Sequence, residues 1–542
     1  MSKKITKKLN NIQKTAILEL LRKDTNSKKD LMVIKRKIAK KYNISILSGA
    51  EILTCINNQN YKHAKIKKLL TKRAVRTISG IAPVAVLTKP YNCPGKCTFC
   101  PTEKNVPQSY LSNEPAVMRA IRCNYNPYTQ VQDRLRALIA NGHEPTKIEL
   151  IVIGGTWSYL PEKYKYWYIL NLFAGANKFR EKSQNSSTQG GPVKKLNKKL
   201  MAENQYKLNL SFDKLKQALT REQKKNESAK YRIIGLTLET RPDYINEKEL
   251  IEMRKLGCTR VEIGVQAIDD KILKLNKRGH TIQAITDATK LLKDFGFKVT
   301  YHLMPGLPGS TPKKDIQMFS NIFSDSRFQP DQIKFYPTIV TRGSLIFRWW
   351  KTGKYKPYSA KILRNIIIQC KKIIPDYVRI IRLIRDIPGE SIIAGNKITN
   401  LRQIIKDEGV QCGCIRCREV RDQKFKLKNV HLFIKKYEAS GGQEYFISYE
   451  SEDKKTLYGF CRLRLSKIAI IRELHVYGEL VSIGRNKKVQ HSGLGKKLLS
   501  KAEKITKENK YRKISIISGV GVRGYYRKLG YKLQNTYMVK NI

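Results

Sequence analysis

Three thiols crowd one short stretch, Cys93-Pro-Gly-Lys-Cys97-Thr-Phe-Cys100, with gaps of three and two residues between them. Structural zinc normally closes with four ligands, and ferredoxin-type cubane clusters take four cysteines. Three cysteines on one loop can hold three corners of a four-iron cluster and leave one iron open to a substrate. Gly95 lets such a loop wrap tightly, and Phe99 can pack against the bound group. The competing reading is a zinc loop completed by a distant histidine. A second trio, Cys412-Gly-Cys414-Ile-Arg-Cys417, suits a structural zinc that stiffens a junction. Cys123, Cys258, Cys370 and Cys461 read as small buried residues.

Near the other end, Gln490-His-Ser-Gly493-Leu-Gly495 precedes an apolar-periodic segment over 494–507. Glycines at a helix start let backbone N–H groups approach a pyrophosphate, and Lys496 and Lys497 add positive charge. Two strands over 457–465 and 469–477 come before it. A strand at Lys513–Ser518 and a helix containing Tyr525 to Tyr531 follow.

Between these motifs the chain alternates β-branched runs with helical stretches. Strands are expected at Lys147–Ile153, Arg232–Leu238, Arg260–Val265, Lys298–Leu303, Gln332–Pro337 and Val378–Leu383. Helices are expected at Glu247–Leu256 and Ile282–Phe295. That rhythm implies a parallel sheet with crossover helices, whose chemistry sits at the carboxyl ends of the strands. Those ends carry Gly154-Gly155-Thr156, Glu239 to Asp243, Gly264-Val265-Gln266, His302 with Met304-Pro305, and Tyr336-Pro337. One such cluster is a turn; five in register describe the rim of a site. The stretch from about 176 to 230 breaks the rhythm and reads as an insertion or mobile loop.

The elements ahead of the barrel are basic. Residues 1–75 read as helices, with Ile12, Ala16 and Leu20 on one face. Over 542 residues, 107 Lys and Arg face 44 Asp and Glu, a net charge of +63. A compact protein so charged repels itself unless a polyanion shares its surface, and nucleic acid is the natural one. AT-rich codon usage explains the preference for Lys over Arg but not the scarcity of acids. The length implies two to four domains. No run is apolar enough to span a bilayer and no signal core follows the basic start. Cysteines in clusters fit a reducing compartment. A cytoplasmic, membrane-free protein is expected.

The C-x3-C-x2-C spacing ahead of a βα barrel, with the glycine turn at 154–156, resembles the radical S-adenosylmethionine (radical SAM) superfamily. The order of elements after 457 resembles the GCN5-related N-acetyltransferase (GNAT) fold. The fusion of the two resembles the Elongator catalytic-subunit family. That likeness is carried by Cys93–Pro101, Glu114 to Arg122, Val152–Thr156, Glu239–Tyr244, Gly257–Gln266, Arg278 to Thr281, Tyr336–Val340, Arg472–Tyr477 and Ser518–Tyr526. It implies an α/β protein. A basic helical region at 1–75, expected to bind tRNA, leads into a partial TIM-like barrel over 76–400. A cysteine-containing linker at 401–425 and a GNAT-like acetyl-CoA-binding domain at 426–542 follow.

What the resemblance implies for function is formation of 5-carboxymethyluridine at the wobble position of tRNA. A deoxyadenosyl radical takes hydrogen from the acetyl methyl group of acetyl-CoA, the carbon radical adds to uracil C5, and thioester hydrolysis leaves the carboxymethyl group. Cys93, Cys97 and Cys100 match the ligands of the 4Fe–4S cluster. Gly154, Gly155, Glu239 and Gln266 fall where S-adenosylmethionine is contacted. Lys147, Glu473, Leu474, His475, Val476, Leu494, Gly495, Lys496 and Tyr526 match positions assigned to acetyl-CoA, and Lys147 and Tyr336 are the expected catalytic residues. Cys412, Cys414 and Cys417 are expected zinc ligands. Accessory Elongator-like subunits or a homodimer are both open. The rival readings are a protein lysine (histone-type) acetyltransferase with a scaffolding barrel, and a tRNA-binding protein with a vestigial cluster.

Overall fold

The computed structural model describes residues 9–58, 66, 69–70, 80–180, 205–420, 430–478 and 493–542. Seven parallel strands form the first sheet in sequence order: β1 (Ala82–Leu87), β2 (Lys147–Ile153), β3 (Arg232–Thr240), β4 (Arg260–Gln266), β5 (Lys298–Leu303), β6 (Gln332–Phe335) and β7 (Arg379–Arg382). Sequential order with a helical crossover between neighbours curls the sheet into an open barrel. Sequence alternation explains its two faces. In β4, Val261, Ile263 and Val265 are fully buried in the core shared with the crossover helices. Arg260, Glu262 and Gln266 turn inward and line a cavity.

The crossover helices begin where short polar residues free the backbone from the strand. Asn246 caps Glu247–Lys255, Thr281 caps Ile282–Asp294, and Thr311 caps Pro312–Ser324, whose proline occupies the first turn. The caps lie 6, 15 and 8 residues beyond the ends of β3, β4 and β5, and the segments between them form the barrel rim.

The second sheet runs β13-β14-β12-β11-β10-β9-β8. Its strands are β8 (His431–Ala439), β9 (Gly442–Glu450), β10 (Leu457–Leu465), β11 (Ala469–Val476), β12 (Lys513–Ile516), β13 (Lys532–Gln534) and β14 (Tyr537–Asn541). All neighbours are antiparallel except β11 and β12, which pair over only three positions, Ala469 to Ile471 against Ile514 to Ile516. Beyond Ile471 the strands part. The helix Leu494–Glu508 packs Leu498, Leu499, Ala502 and Ile505 onto this sheet.

The two sheets are joined by buried charge. Arg472 on β11 donates to Phe297 O at 2.7 Å and to Asp331 at 2.9 Å. Arg462 donates to Tyr377 O at 2.6 Å, and Arg464 reaches Asp294 at 2.6 Å. Glycines make the contact close. A Cβ at Gly521 would stand 2.7 Å from the Arg232 Cβ, and one at Gly519 would collide with Ile234 O.

Four elements named here differ from the sequence expectation. β1 was not expected; the Pro83 inside it is tolerated since β1 is an edge. β8 and β9 were also missed. β8 is an edge strand with most side chains exposed, so it lacks an apolar face to read. Within the stretch read as an insertion, Phe212–Asn226 is a helix burying Leu215, Ala218 and Leu219; residues 181–204 lie outside the described residues. The amino-terminal helices Asn11–Arg22, Lys28–Lys41 and Gly49–Asn58 form as expected around their own core. Ile12 is nonetheless exposed, and Ala16, Ile17, Leu20 and Leu21 make the buried stripe.

Candidate active site

The cysteine loop lies at the carboxyl end of the barrel. Its Thr98 is docked on the segment after β4, donating from N and Oγ1 to Asn276 O at 3.2 Å and Oδ1 at 2.8 Å. Cys93 Sγ stands 3.7 Å from Thr156 Oγ1, so the glycine turn after β2 reaches the loop. A hydrogen bond from Cys100 and the nearby Arg278 guanidinium bring the Cys97 thiol down to about 5, against the pull of burial. The same pairing and burial push Cys100 up.

The donor set fits an open-iron cluster with a cosubstrate beside it. Gly154 and Gly155 have φ of +132° and +107°, conformations that glycine adopts without strain. A side chain at 154 would collide with Thr88, whereas the space at 155 is open. Gln266 is a non-glycine residue at φ +68°, and its Oε1 is buried without a partner. A strained residue holding an unpartnered acceptor toward a cavity is a reason to place a ligand there.

From this rim a cavity of about 870 Å³ runs down the barrel interior. Tyr110, Glu239, Gln266, His302 and Tyr336 surround its upper part; Glu149, Arg260, Lys298, Gln332 and Arg379 line the opposite part. Between them, His302 Nε2 is 2.8 Å from Glu262 Oε2, its Nδ1 is 3.6 Å from Glu239 Oε1, and Lys334 pairs with Glu262. Burial alone would raise Glu262, but Lys334 and His302 outweigh it and hold the carboxyl well below its usual range. Burial raises the Tyr336 hydroxyl, which therefore stays protonated at neutral pH. The His302 and Tyr336 rings meet edge to face at 5.0 Å.

The far side of the same cavity is closed by Glu473 and His475 of β11 and by Tyr477 just after it. Lys298 of β5 bonds Glu473 at 3.4 Å, and Arg379 of β7 donates to the Tyr477 hydroxyl at 2.9 Å. Burial would raise Glu473, yet Lys298 and Arg462 bring it to about 2. Leu474 and Val476 alternate to the other face and pack on the second core. Tyr526 is buried in that core, and Tyr525 OH lies 3.1 Å from where a Gly495 Cβ would be. Leu494 is buried while Gly495 and Lys496 stand in the first turn of the helix they open. Residues 490–492 of that motif lie outside the described residues.

The expected residues thus separate into two groups. Tyr336, Glu239, Gln266 and the glycine turn gather at the cysteine loop; Glu473 and His475 face them from the other sheet. Lys147 opens β2 at the opposite end from Ile153, about 20 Å away along the strand. It shares a face with Glu149, and burial lowers its ammonium to about 8. The sequence reading missed Glu262, Lys334 and Arg260. Charged residues at every second position of a strand candidate were the available signal, since they mark a polar inner face.

At the junction, Cys412, Cys414 and Cys417 place their sulfurs within 4.8 Å of one another, the one such group of three among the described residues. Hydrogen bonds from the other two thiols hold Cys414 well below the ordinary range. Ile415 N donates to Val378 O at 2.9 Å, and Arg418 donates to Asp376 O at 2.8 Å and pairs with Glu450, so this loop touches both domains. No helix among the described residues is long and apolar enough to cross a membrane.

Comparison with known proteins agrees with this geometry. Residues 87–320 match the radical SAM superfamily, 330–409 the radical SAM C-terminal domain, and 416–531 the acetyltransferase (GNAT) family. The tRNA uridine(34) acetyltransferase of Methanocaldococcus infernus is 40% identical over 96% of each chain. That of Dehalococcoides mccartyi is 41% identical over 87% of this chain and 100% of its own. Elongator complex protein 3 of Homo sapiens is 37% identical over 94% of this chain and 93% of its own. A solved structure of Methanocaldococcus infernus Elp3 with an amino-terminal deletion is 37% identical, with a TM-score of 0.69 over 86% of this chain and 100% of that one. With a radical SAM barrel and an acetyltransferase sheet in one chain, and this identity along nearly all of it, the protein belongs to the Elongator complex protein 3 family.

Proposed function

We propose that the chain forms 5-carboxymethyluridine at the wobble position of tRNA from acetyl-CoA and S-adenosylmethionine. The observation that carries this reading is the single cavity with the cysteine loop at one end and β11 at the other. An acetyl group presented by β11 and a base admitted at the rim would meet inside it. The relatives named tRNA uridine(34) acetyltransferase supply the substrate class.

Cys93, Cys97 and Cys100 would hold the 4Fe–4S cluster, with Gly155 and Gln266 beside the cosubstrate. Once bound there, cluster and S-adenosylmethionine supply hydrogen-atom abstraction from a methyl group too weakly acidic for ordinary bases. The protein's own residues do the rest. Tyr336 keeps its proton and donates toward the upper cavity. His302, set between Glu239 and Glu262, is placed to pass a proton between the rim and the barrel interior. Glu473 stays ionised against Lys298 and Arg462, while His475 presents its ring beside the parted β11 and β12, where a pantetheine arm would enter. Lys147 serves the coenzyme end rather than the bond-forming point. Cys412, Cys414 and Cys417 supply three ligands to a structural zinc at the domain junction.

A protein lysine acetyltransferase is not favoured, because Glu473, His475 and Tyr477 face the barrel interior rather than an open acceptor groove. The test is mass spectrometry of tRNA nucleosides after anaerobic reaction with acetyl-CoA, S-adenosylmethionine and a reductant. Modified uridine should form with the intact chain and vanish in Cys97→Ala, which should still bind acetyl-CoA. Lysine acetylation surviving Cys97→Ala, with no modified uridine from either protein, would sink the reading. Running it on the isolated chain also decides whether an accessory subunit is required.

A further inference from the structure

Two buried arginines lie against the cysteine loop, and the reaction proposed above gives neither a part. Arg278 donates from Nη1 to Cys97 Sγ at 3.0 Å and from Nη2 to Gly264 O. Arg241 is clamped by Asp243, through Nε at 3.0 Å and Nη2 at 2.8 Å, and also donates to Arg278 O. Its Nη1 is buried without a partner and occupies the space that a side chain at position 95 would need. Gly95 therefore admits a guanidinium against the loop. Among the described residues, Asp243 is the one carboxylate paired with these cations. The neighbouring His280 is buried and held to about 3, so it adds no charge at neutral pH.

We propose that Arg278, backed by Arg241, sets the reduction potential of the iron–sulfur cluster carried by the loop. This rests on the cluster reading given above. One-electron reduction adds a negative charge to the cluster and its thiolates; the electron comes from an external low-potential donor, and no bond forms or breaks. A guanidinium hydrogen-bonded to a ligating sulfur stabilises the reduced form more than the oxidised one. Burial keeps solvent ions from screening it. Arg278 acts as a positioning residue on the cluster.

The test is a dithionite titration of the reconstituted full chain, followed by electron paramagnetic resonance without S-adenosylmethionine. Arg278→Gln should lower the midpoint by a tenfold change in the reduction equilibrium, which is about 59 mV for one electron, at unchanged iron and sulfide content. Arg278→Lys should move it less. Asp243→Asn removes the opposing anion and should raise the midpoint. An unmoved midpoint in Arg278→Gln at full iron content overturns the proposal, even if S-adenosylmethionine then binds more weakly. If Arg278→Gln holds no iron, Asp243→Asn decides: a rise supports the proposal, and no change or a fall overturns it. Failure of the cluster reading is distinct, since the unaltered chain would then reconstitute without a four-iron cluster.

Discussion

Asp331, just ahead of β6, and Arg472, on β11, bind each other across the domain interface with both side chains fully buried. Lys293 and Arg462 approach the same carboxylate at 3.8 and 3.6 Å. Removing the carboxylate leaves Glu444 to balance both Arg472 and Lys293, with Arg462 on Glu473, an excess of buried positive charge that costs about 3–5 kcal/mol. Asp331→Ala should therefore destabilise the chain by that order in urea unfolding. Burial raises this carboxyl, but Arg472, Lys293 and Arg462 outweigh it, so it titrates below its unfolded value. Its stabilisation is complete above about pH 4 and fades on acidification; an acid-unfolding midpoint at higher pH in Arg472→Met would follow.

Glu252 behaves in the opposite sense. Burial raises it to about 7, and Lys165, 3.8 Å away, offsets this only partly because it is shared with Glu249 at 2.9 Å. The folded state holds that proton more tightly than the unfolded chain, so stability falls between about pH 4 and 7 as the unfolded chain ionises first. Glu252→Gln should be neutral near pH 4 and stabilising by about 1–3 kcal/mol at pH 8. Thermal melts of both proteins across that window check it. Equal melting differences at both ends would count against a titrating Glu252.

Lys147 should be reactive toward amine reagents near pH 8, since burial lowers it to about 8. Limited labelling with an amine-specific reagent, read by peptide mass spectrometry, should mark it at pH 8, with acetyl-CoA protecting it. A label that ignores the coenzyme would detach Lys147 from the coenzyme end. The depressed ammonium also destabilises the fold below pH 8 and ceases to do so as the pH rises through 8 toward 10.5.

Cys414→Ser should remove stoichiometric zinc and lower the melting temperature while leaving the iron content of the cysteine loop intact. Metal analysis paired with a melt reads both. Full zinc in this variant would show that Cys414 is not a ligand.

How far the sequence could be read depended on where each residue's partners lie. The cysteine loop, the glycine turn and five strand ends were legible because each depends on spacing within a few residues. Six of the seven barrel strands were legible from β-branched runs; β1, with Pro83 inside it, was not. The paired charges could not be read. Glu262 meets His302 and Lys334 from 40 and 72 positions away, and Arg472 meets Asp331 from 141. Nothing local marks such pairs. Fractional exposure inverts ordinary expectation too: Arg462, Arg464 and Arg472 are among the largest fully buried side chains. In a chain with this excess of cations they would have passed as surface.

Because β11 is both a strand of the acetyltransferase sheet and a wall of the barrel interior, neither half encloses the chamber when taken alone. Severed halves would each open their reactive end to bulk water. In the reaction proposed above, a carbon radical formed in such an opened barrel would be exposed to quenching by solvent and solutes. The buried charges that lock β11 onto the barrel are thus also the seal of the chamber.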